Sequence, residues 1–276
     1  MNKASKLVPA LLAFSVSLGF CGSLLADEPT TKTLLLLGQK PDGHPPATHE
    51  YMPGQRILAH LLRDVPGWKV EVVQADGAWP EGPELLSKAD AVVLFVSHGG
   101  YWIQDDPRRF EALVRLAERG GGISGLHWGL GVKDAKRIAG FAKLLGACHG
   151  GPDRKFKFFE EIDPTTAAEH AVTRGVEIPQ LREEYYFALK REPTASDALV
   201  PLITIPVEGD DGMVSWAWQR PDGGRSFGFT GLHFHENWRQ ESYRRLIAQG
   251  VLWTMKVEPP AGGLDLTVPE TLLKLE

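Results

Sequence analysis

Apolar and polar positions alternate with two different periods along this chain, and the changes of period mark out strands and helices in turn. Thr33 to Leu37 is a continuous run ending in Gly38, as expected of a strand buried on both faces. Trp68 to Val73 alternates and reads as a second strand. Ala89 to Val96, broken by Asp90, reads as a third and ends in Ser97-His98-Gly99-Gly100-Tyr101. A fourth short apolar stretch, Ile123 and Ser124, follows Gly120-Gly121-Gly122 and leads into Gly125-Leu126-His127-Trp128-Gly129. Helical spacing fills the gaps. Gln55 to Arg63 is one helix, with Thr48 as its expected cap. Asp106 and Pro107 open another, which buries Phe110, Leu113, Val114 and Ala117 and stops at Gly120. Val132 to Leu145 is a third. The alternation predicts an α/β chain with a doubly wound, mostly parallel sheet.

The second half changes character. Val200 to Ile205 and Met213 to Gln219 read as strands, and Ser226 to Thr230 returns against the latter across Arg220-Pro221-Asp222-Gly223-Gly224. That adds an antiparallel hairpin to one side of the sheet. Lys155 to Ile162 reads as an edge strand and His170 to Val176 as turns. A last helix buries Tyr243, Leu246, Ile247 and Val251, and a Pro- and Gly-rich tail lies beyond Lys256.

Candidate chemistry concentrates where the strands end. The Gly125 to Gly129 pattern resembles a nucleophile elbow, a sharp turn that lifts one side chain above the sheet edge. Histidine stands at its centre; imidazole is a poor covalent nucleophile but a good metal ligand and general base. The competing reading is a core histidine packed under Trp128. Four segments bring histidines just past apolar strands: His44 and His49, His98, His127, and His233 with His235. Strand C-termini of a parallel sheet share one edge, where open α/β folds bind ligands. A divalent metal on some of His98, His127, His233 and His235 is the resulting expectation, zinc first, with manganese, iron or nickel as alternatives. Glu50, Glu184 or Glu236 would supply a carboxylate or act as general base. No compact zinc spacing such as His-Glu-x-x-His is present.

Composition narrows the setting. The 276 residues carry a formal charge of -5 with a sequence pI near 6.0, which leaves no basic footprint for nucleic acid. Lys3 and Lys6 precede an apolar run from Leu7 to Phe20, and small residues lead to Ala26. This is the layout of a signal peptide over residues 1–26, too short for a stable membrane span, and it implies a periplasmic or secreted protein. Lipid attachment at Cys21 is disfavoured by the bulky Phe20 before it. The remainder, 27–276, reads as a single domain with its core over about 33–256 and a tail at 257–276. Cys148 is the only cysteine left after cleavage, so no intramolecular disulfide forms.

Several of these stretches together resemble the trehalose-utilisation (ThuA-like) family. They are His44-Pro45-Pro46-Ala47-Thr48-His49-Glu50-Tyr51, Ser97-His98-Gly99, Gly121-Gly122-Ile123-Ser124-Gly125-Leu126-His127-Trp128, Glu184-Tyr185 and Gly231-Leu232-His233. His233-Phe234-His235-Glu236-Asn237-Trp238 is also similar to secreted members of bacterial polysaccharide degraders. The resemblance implies a fold like that of class I glutamine amidotransferases, a flavodoxin-like doubly wound sheet. Those relatives hold a cysteine at the elbow; here it is His127, and Cys148 lies beyond the next helix, which argues against glutamine hydrolysis through a thiolate. The family's link to sugar use implies a small saccharide or keto-sugar as ligand.

The reading that follows is a metal-assisted enzyme acting on a saccharide or keto-sugar, with hydrolysis, elimination and isomerisation all open. His127, Glu184 and Glu50 are the expected catalytic groups; His44, His49, Tyr185, Trp128 and Glu236 are expected to bind substrate. Two alternatives stand beside it. One is a non-catalytic carbohydrate-binding protein on the same fold. The other is metal-free glycoside hydrolysis by two of Glu50, Glu184 and Glu236, which needs carboxyls about 5 or about 6.5–9.5 Å apart. The sequence leaves the oligomeric state open.

Overall fold

In the computed structural model, which describes residues 1, 31–195, 198–258 and 264–275, the first apolar run lies deep inside a central sheet. The expected signal peptide, its cleavage after Ala26 and Cys21 lie outside the described residues. No helix among the described residues is long and apolar enough to cross a membrane.

The first half runs β1 (Lys32–Gly38), α1 (Tyr51–Leu62), β2 (Trp68–Gln74), α2 (Gly82–Lys88), β3 (Ala91–Leu94), α3 (Gly99–Asp105), α4 (Pro107–Glu118) and β4 (Gly122–Leu126). Then come β5 (Gly131–Val132), α5 (Ile138–Leu145), β6 (Ala147–Gly150), β7 (Lys155–Ile162), β8 (Thr165–Thr166), β9 (Leu181–Phe187) and β10 (Lys190–Arg191). The chain closes with β11 (Leu199–Thr204), β12 (Met213–Gln219), β13 (Arg225–Phe229), α6 (Glu241–Thr254) and α7 (Glu270–Leu273).

Eight strands form the main sheet in the order β2-β1-β3-β4-β13-β12-β11-β8. The pairs from β2 to β13 are parallel and the rest antiparallel, so the expected doubly wound sheet carries the expected hairpin at one side. Period two explains why β1 is apolar throughout. Leu34 and Leu36 pack with Ile57 and Leu58 of α1 and Leu246 of α6 on one face. Leu35 and Leu37 pack with Leu113 and Leu116 of α4 and Phe141 of α5 on the other. Asp90, which interrupts the third apolar run, accepts the Thr33 N–H at 2.9 Å and ties β1 to its neighbour.

Four expectations need correction. Helix α1 starts at Tyr51, four residues early, because Pro53 falls in the first turn where its missing N–H costs nothing. Thr48 does not cap it; its hydroxyl donates to the Pro45 carbonyl at 2.6 Å. The helix expected over Val132 to Leu145 begins only at Ile138, because Gly131 and Val132 are extended and pair with His149 and Gly150. Lys155 to Ile162 is no edge of the main sheet: β7 and β9 form a separate antiparallel ribbon.

β1, β3, β4 and β13 run in parallel, so the loops after them open at one edge. Two of these turns touch backbone to backbone. A Cβ on Gly99 would overlap the carbonyl oxygen of Gly129, and one on Gly129 would overlap that of Leu94. The turn after β3 is thereby locked onto the turn after β4, and the glycines make that approach possible.

Candidate metal centre

His49, His98 and His127 all have left-handed backbones, with φ of 53°, 47° and 47°. Such a conformation costs a side-chain-bearing residue about 1–2 kcal/mol and persists only where the surroundings enforce it. At residue 127 the enforcement comes from the locked turn, and the result is the elbow that the sequence suggests.

His127 is fully buried, and its Nδ1 donates to the Thr230 carbonyl at 2.8 Å. That fixes the tautomer and leaves Nε2 with a bare lone pair. His49 is held in the same way. The Tyr51 hydroxyl donates to Asp42 at 2.7 Å, and His49 Nδ1 lies 2.8 Å from the Tyr51 oxygen and 3.3 Å from Asp42. Its Nε2 therefore also points forward as an acceptor. Burial, with His49 and His233 nearby, holds the His127 imidazole well below its ordinary pKa; burial also lowers that of His49, against the opposing pull of Asp42. Both are in the neutral form that binds metals.

These two nitrogens face each other at 3.2 Å. His233 Nδ1 lies 3.1 Å from His49 Nε2 and 3.3 Å from His127 Nε2. The Glu184 carboxylate completes the group, 2.8 Å from His233 Nδ1 and 3.6 Å from His127 Nε2. All four atoms lie within 4.8 Å of one another, and all four residues are buried. A tetrahedral zinc with bonds of about 2.0–2.1 Å has ligand edges of about 3.3–3.4 Å, close to these spacings. The Nε2 lone pairs of His49 and His127 face each other at 3.2 Å, an arrangement that a cation between them would relieve. The cluster can hold a metal.

An outer shell braces it. Asp42 accepts from His44, His49, Tyr51 and the Ser97 hydroxyl, which outweigh burial and keep its carboxyl far below the usual range. Glu183 accepts the N–H groups of Leu232 at 2.8 Å and His233 at 3.0 Å, with Asn237 Nδ2 at 3.0 Å. Burial nevertheless pushes the Glu183 carboxyl up to about 7. Tyr186 stacks on His127, with its hydroxyl 3.0 Å from Nε2.

The centre opens into a cavity of about 280 Å³. His49, Glu184 and His233 reach its surface, and Trp128, Phe156, Phe158 and Tyr186 give it aromatic walls. His44, Lys133, His149 and Arg154 also line it. A second cavity of about 410 Å³, bordered by Arg182, Phe234 and Glu236, shares His44, Phe158 and His233 with the first.

The sequence set is thus regrouped. His127 and His233 meet as expected, but His49 joins them as a third nitrogen donor instead of lining the pocket alone. His98 is not in the cluster: its Nε2 accepts the Lys133 N–H at 2.8 Å while its ring lies between Tyr101 and Trp128. His235 is not there either, because it opens the 3-10 turn His235–Arg239, which ends the extended stretch and breaks its period-two alternation. Its imidazole, pushed down to about 4 by burial against the pull of the Leu273 backbone, is buried apart from the four. Glu50 closes its own loop by accepting the Ala47 N–H at 3.1 Å. Glu236 lines only the second cavity, and Tyr185 is buried with its hydroxyl 2.6 Å from that of Tyr243. Strand alternation gives the pocket to Tyr186 and Glu184, and the core to Tyr185 and Glu183. Asp42, Glu183, Tyr186 and His149 went unread in the sequence, although Asp42 lies in the loop singled out for its histidines.

Cys148 is fully buried, and burial pushes its thiol up to about 12. Peptide mapping after iodoacetamide treatment should find Cys148 unmodified in the native protein and alkylated after denaturation. Alkylation of the native protein would contradict this burial.

Residues 40–254 match the family described as trehalose utilisation, ThuA. The chain belongs to that family. Solved ThuA-like proteins share its fold: one from Bacteroides uniformis at TM-score 0.58 and 14% identity, covering 87% of this chain and 97% of that one. Another, from Parabacteroides merdae, has TM-score 0.56 and 14% identity, covering 87% and 93%. The fold is that of the glutamine amidotransferase-like proteins. A β-galactosidase from Bacillus circulans sp. alkalophilus is similar over 83% of this chain but 32% of its own, at TM-score 0.51 and 9% identity. No curated protein matches the ThuA-like chain in sequence. The family gives it a sugar-related role.

Proposed function

We propose that this ThuA-like protein is an exported, metal-dependent enzyme acting on a small saccharide, with a keto-sugar as the preferred class and zinc as the first candidate metal. The observation that carries the reading is the buried group of three imidazole nitrogens and one carboxylate beneath an aromatic-walled cavity. A sugar ring offers apolar faces to Trp128 and Phe158 and paired oxygens to the centre. A divalent cation held there supplies Lewis-acid polarisation of a carbonyl or hydroxyl oxygen.

The chain's own groups handle the protons. His44 Nδ1 donates to Asp42 at 2.6 Å, which leaves Nε2 able to take a proton at the cavity wall. Tyr186 holds a hydroxyl proton beside the cluster. Glu184 belongs among the metal donors, so the role of proton acceptor passes from the glutamates to His44.

Two measurements test this. Chelation should abolish conversion of keto-sugars, followed by mass spectrometry, and zinc, manganese, iron or nickel should restore it. Equal turnover without metal rules the mechanism out, and sugar binding without any turnover returns the protein to a binding role. Asp42→Asn should weaken metal affinity about 10–100-fold, as loss of outer-shell orientation does elsewhere. Competition with a chromophoric chelator measures it; unchanged affinity would remove Asp42 from the support of His49.

A further inference from the structure

We propose that the ligand of this cavity is an anionic sugar, whose negative group rests between Lys133 and Arg154. The inference rests on the metal reading above and adds the substrate's charge. Lys133 and Arg154 line the cavity, and the acids beside them are engaged elsewhere. Asp134 caps Lys136 and pairs with Arg137 at 3.6 Å, while Asp153 pairs with Lys190 at 2.6 Å. Lys133 Nζ sits 5.4 Å from the Trp128 ring centroid, and Arg154 donates to the Gly151 carbonyl at 3.1 Å. Among the described residues, neither cation has a carboxylate partner. Glu184 is the one carboxylate on the cavity wall, and a divalent cation more than neutralises it. Asp42 lies behind His44 and His49, so the positive charge left over on the wall is that of Lys133 and Arg154.

His149 also lines this cavity and is 1% exposed, and its ring can offer a nitrogen to an oxygen of a bound sugar, whatever that sugar's charge. Tyr186 stacks on the same ring at 4.0 Å and holds it in place. A sugar bearing a carboxylate or phosphate can make charge-assisted hydrogen bonds with Lys133 and Arg154 that a neutral sugar cannot.

Calorimetric titration of the zinc-loaded full chain at low ionic strength decides the matter, with glucose, glucuronate and glucose 6-phosphate as probes. At least one anionic sugar should bind about tenfold to a hundredfold more tightly than glucose, with the advantage shrinking as salt rises. The Lys133→Ala/Arg154→Ala double variant should lose that advantage while keeping its zinc, and Lys133→Arg should retain it. Preference for glucuronate identifies a sugar acid; preference for glucose 6-phosphate identifies a sugar phosphate. If neither anion outbinds glucose, or the double variant keeps the preference, the proposal is wrong. Zinc content measured on the same samples reports separately on the metal centre.

Discussion

His127→Ala should abolish stoichiometric metal binding, with affinity falling well over 100-fold, beyond the scale set by loss of an outer-shell partner. The reason is geometric. His127 Nε2 lies within 3.3 Å of both other ring nitrogens in the cluster, and Thr230 orients it so that no proton competes. Removing it leaves two nitrogens and a carboxylate without the inner member of the group. Elemental analysis of untagged protein reads the result directly. His98→Ala is the control: it lies at the same sheet edge but outside the cluster, and its metal content should match the wild type. Metal retained in His127→Ala would show that the cluster is not the binding site.

Glu183→Ala should cost about 3–5 kcal/mol of stability, from several buried donors left unsatisfied at about 1–3 kcal/mol each. Its carboxylate is fully buried and serves the N–H groups of Leu232 and His233, Asn237 Nδ2 and the Tyr243 hydroxyl at 3.3 Å. Each donor left without an acceptor carries its own desolvation penalty. For a chain of this size the loss corresponds to a fall in melting temperature of about 10 °C. Glu184→Ala, one residue along, should do the reverse: metal is lost while the apo-protein melts almost as before. A shift below about 2 °C for Glu183→Ala would mean that the network stabilises little.

That pair also shows where sequence reading stops. The apolar runs, the Arg220 to Gly224 turn and the histidines at strand ends are local patterns, and each is visible in a few consecutive residues. The parity of Leu181 to Phe187 is not. Leu181-Arg182-Glu183-Glu184-Tyr185-Tyr186-Phe187 holds two adjacent acids and two adjacent tyrosines, so shifting the strand by one residue exchanges core for pocket without breaking any pattern. Only the pairing of β9 with β7, and the cover from α6, decides which of each pair faces in. His98 shows a second limit. Its turn ends at the expected edge, but a left-handed residue aims its ring at Trp128, and backbone handedness at a histidine leaves no mark in composition. Asp42 shows a third: its partners are His44 and His49 of its own loop, Tyr51 at the start of α1, and Ser97 after β3, 55 positions away.

The contact between Gly99 and Gly129 has a consequence for anyone who would redesign the pocket. Both positions are closed to every amino acid larger than glycine, and an insertion at either would prise apart the mount of His127. Diversity introduced there is spent on broken scaffolds. Libraries aimed at new specificity belong instead on strand β7 of the β7–β9 ribbon, where Phe156 and Phe158 are half exposed on the cavity wall. One jaw of this site is cast in a single piece; the other is where variation can be tried.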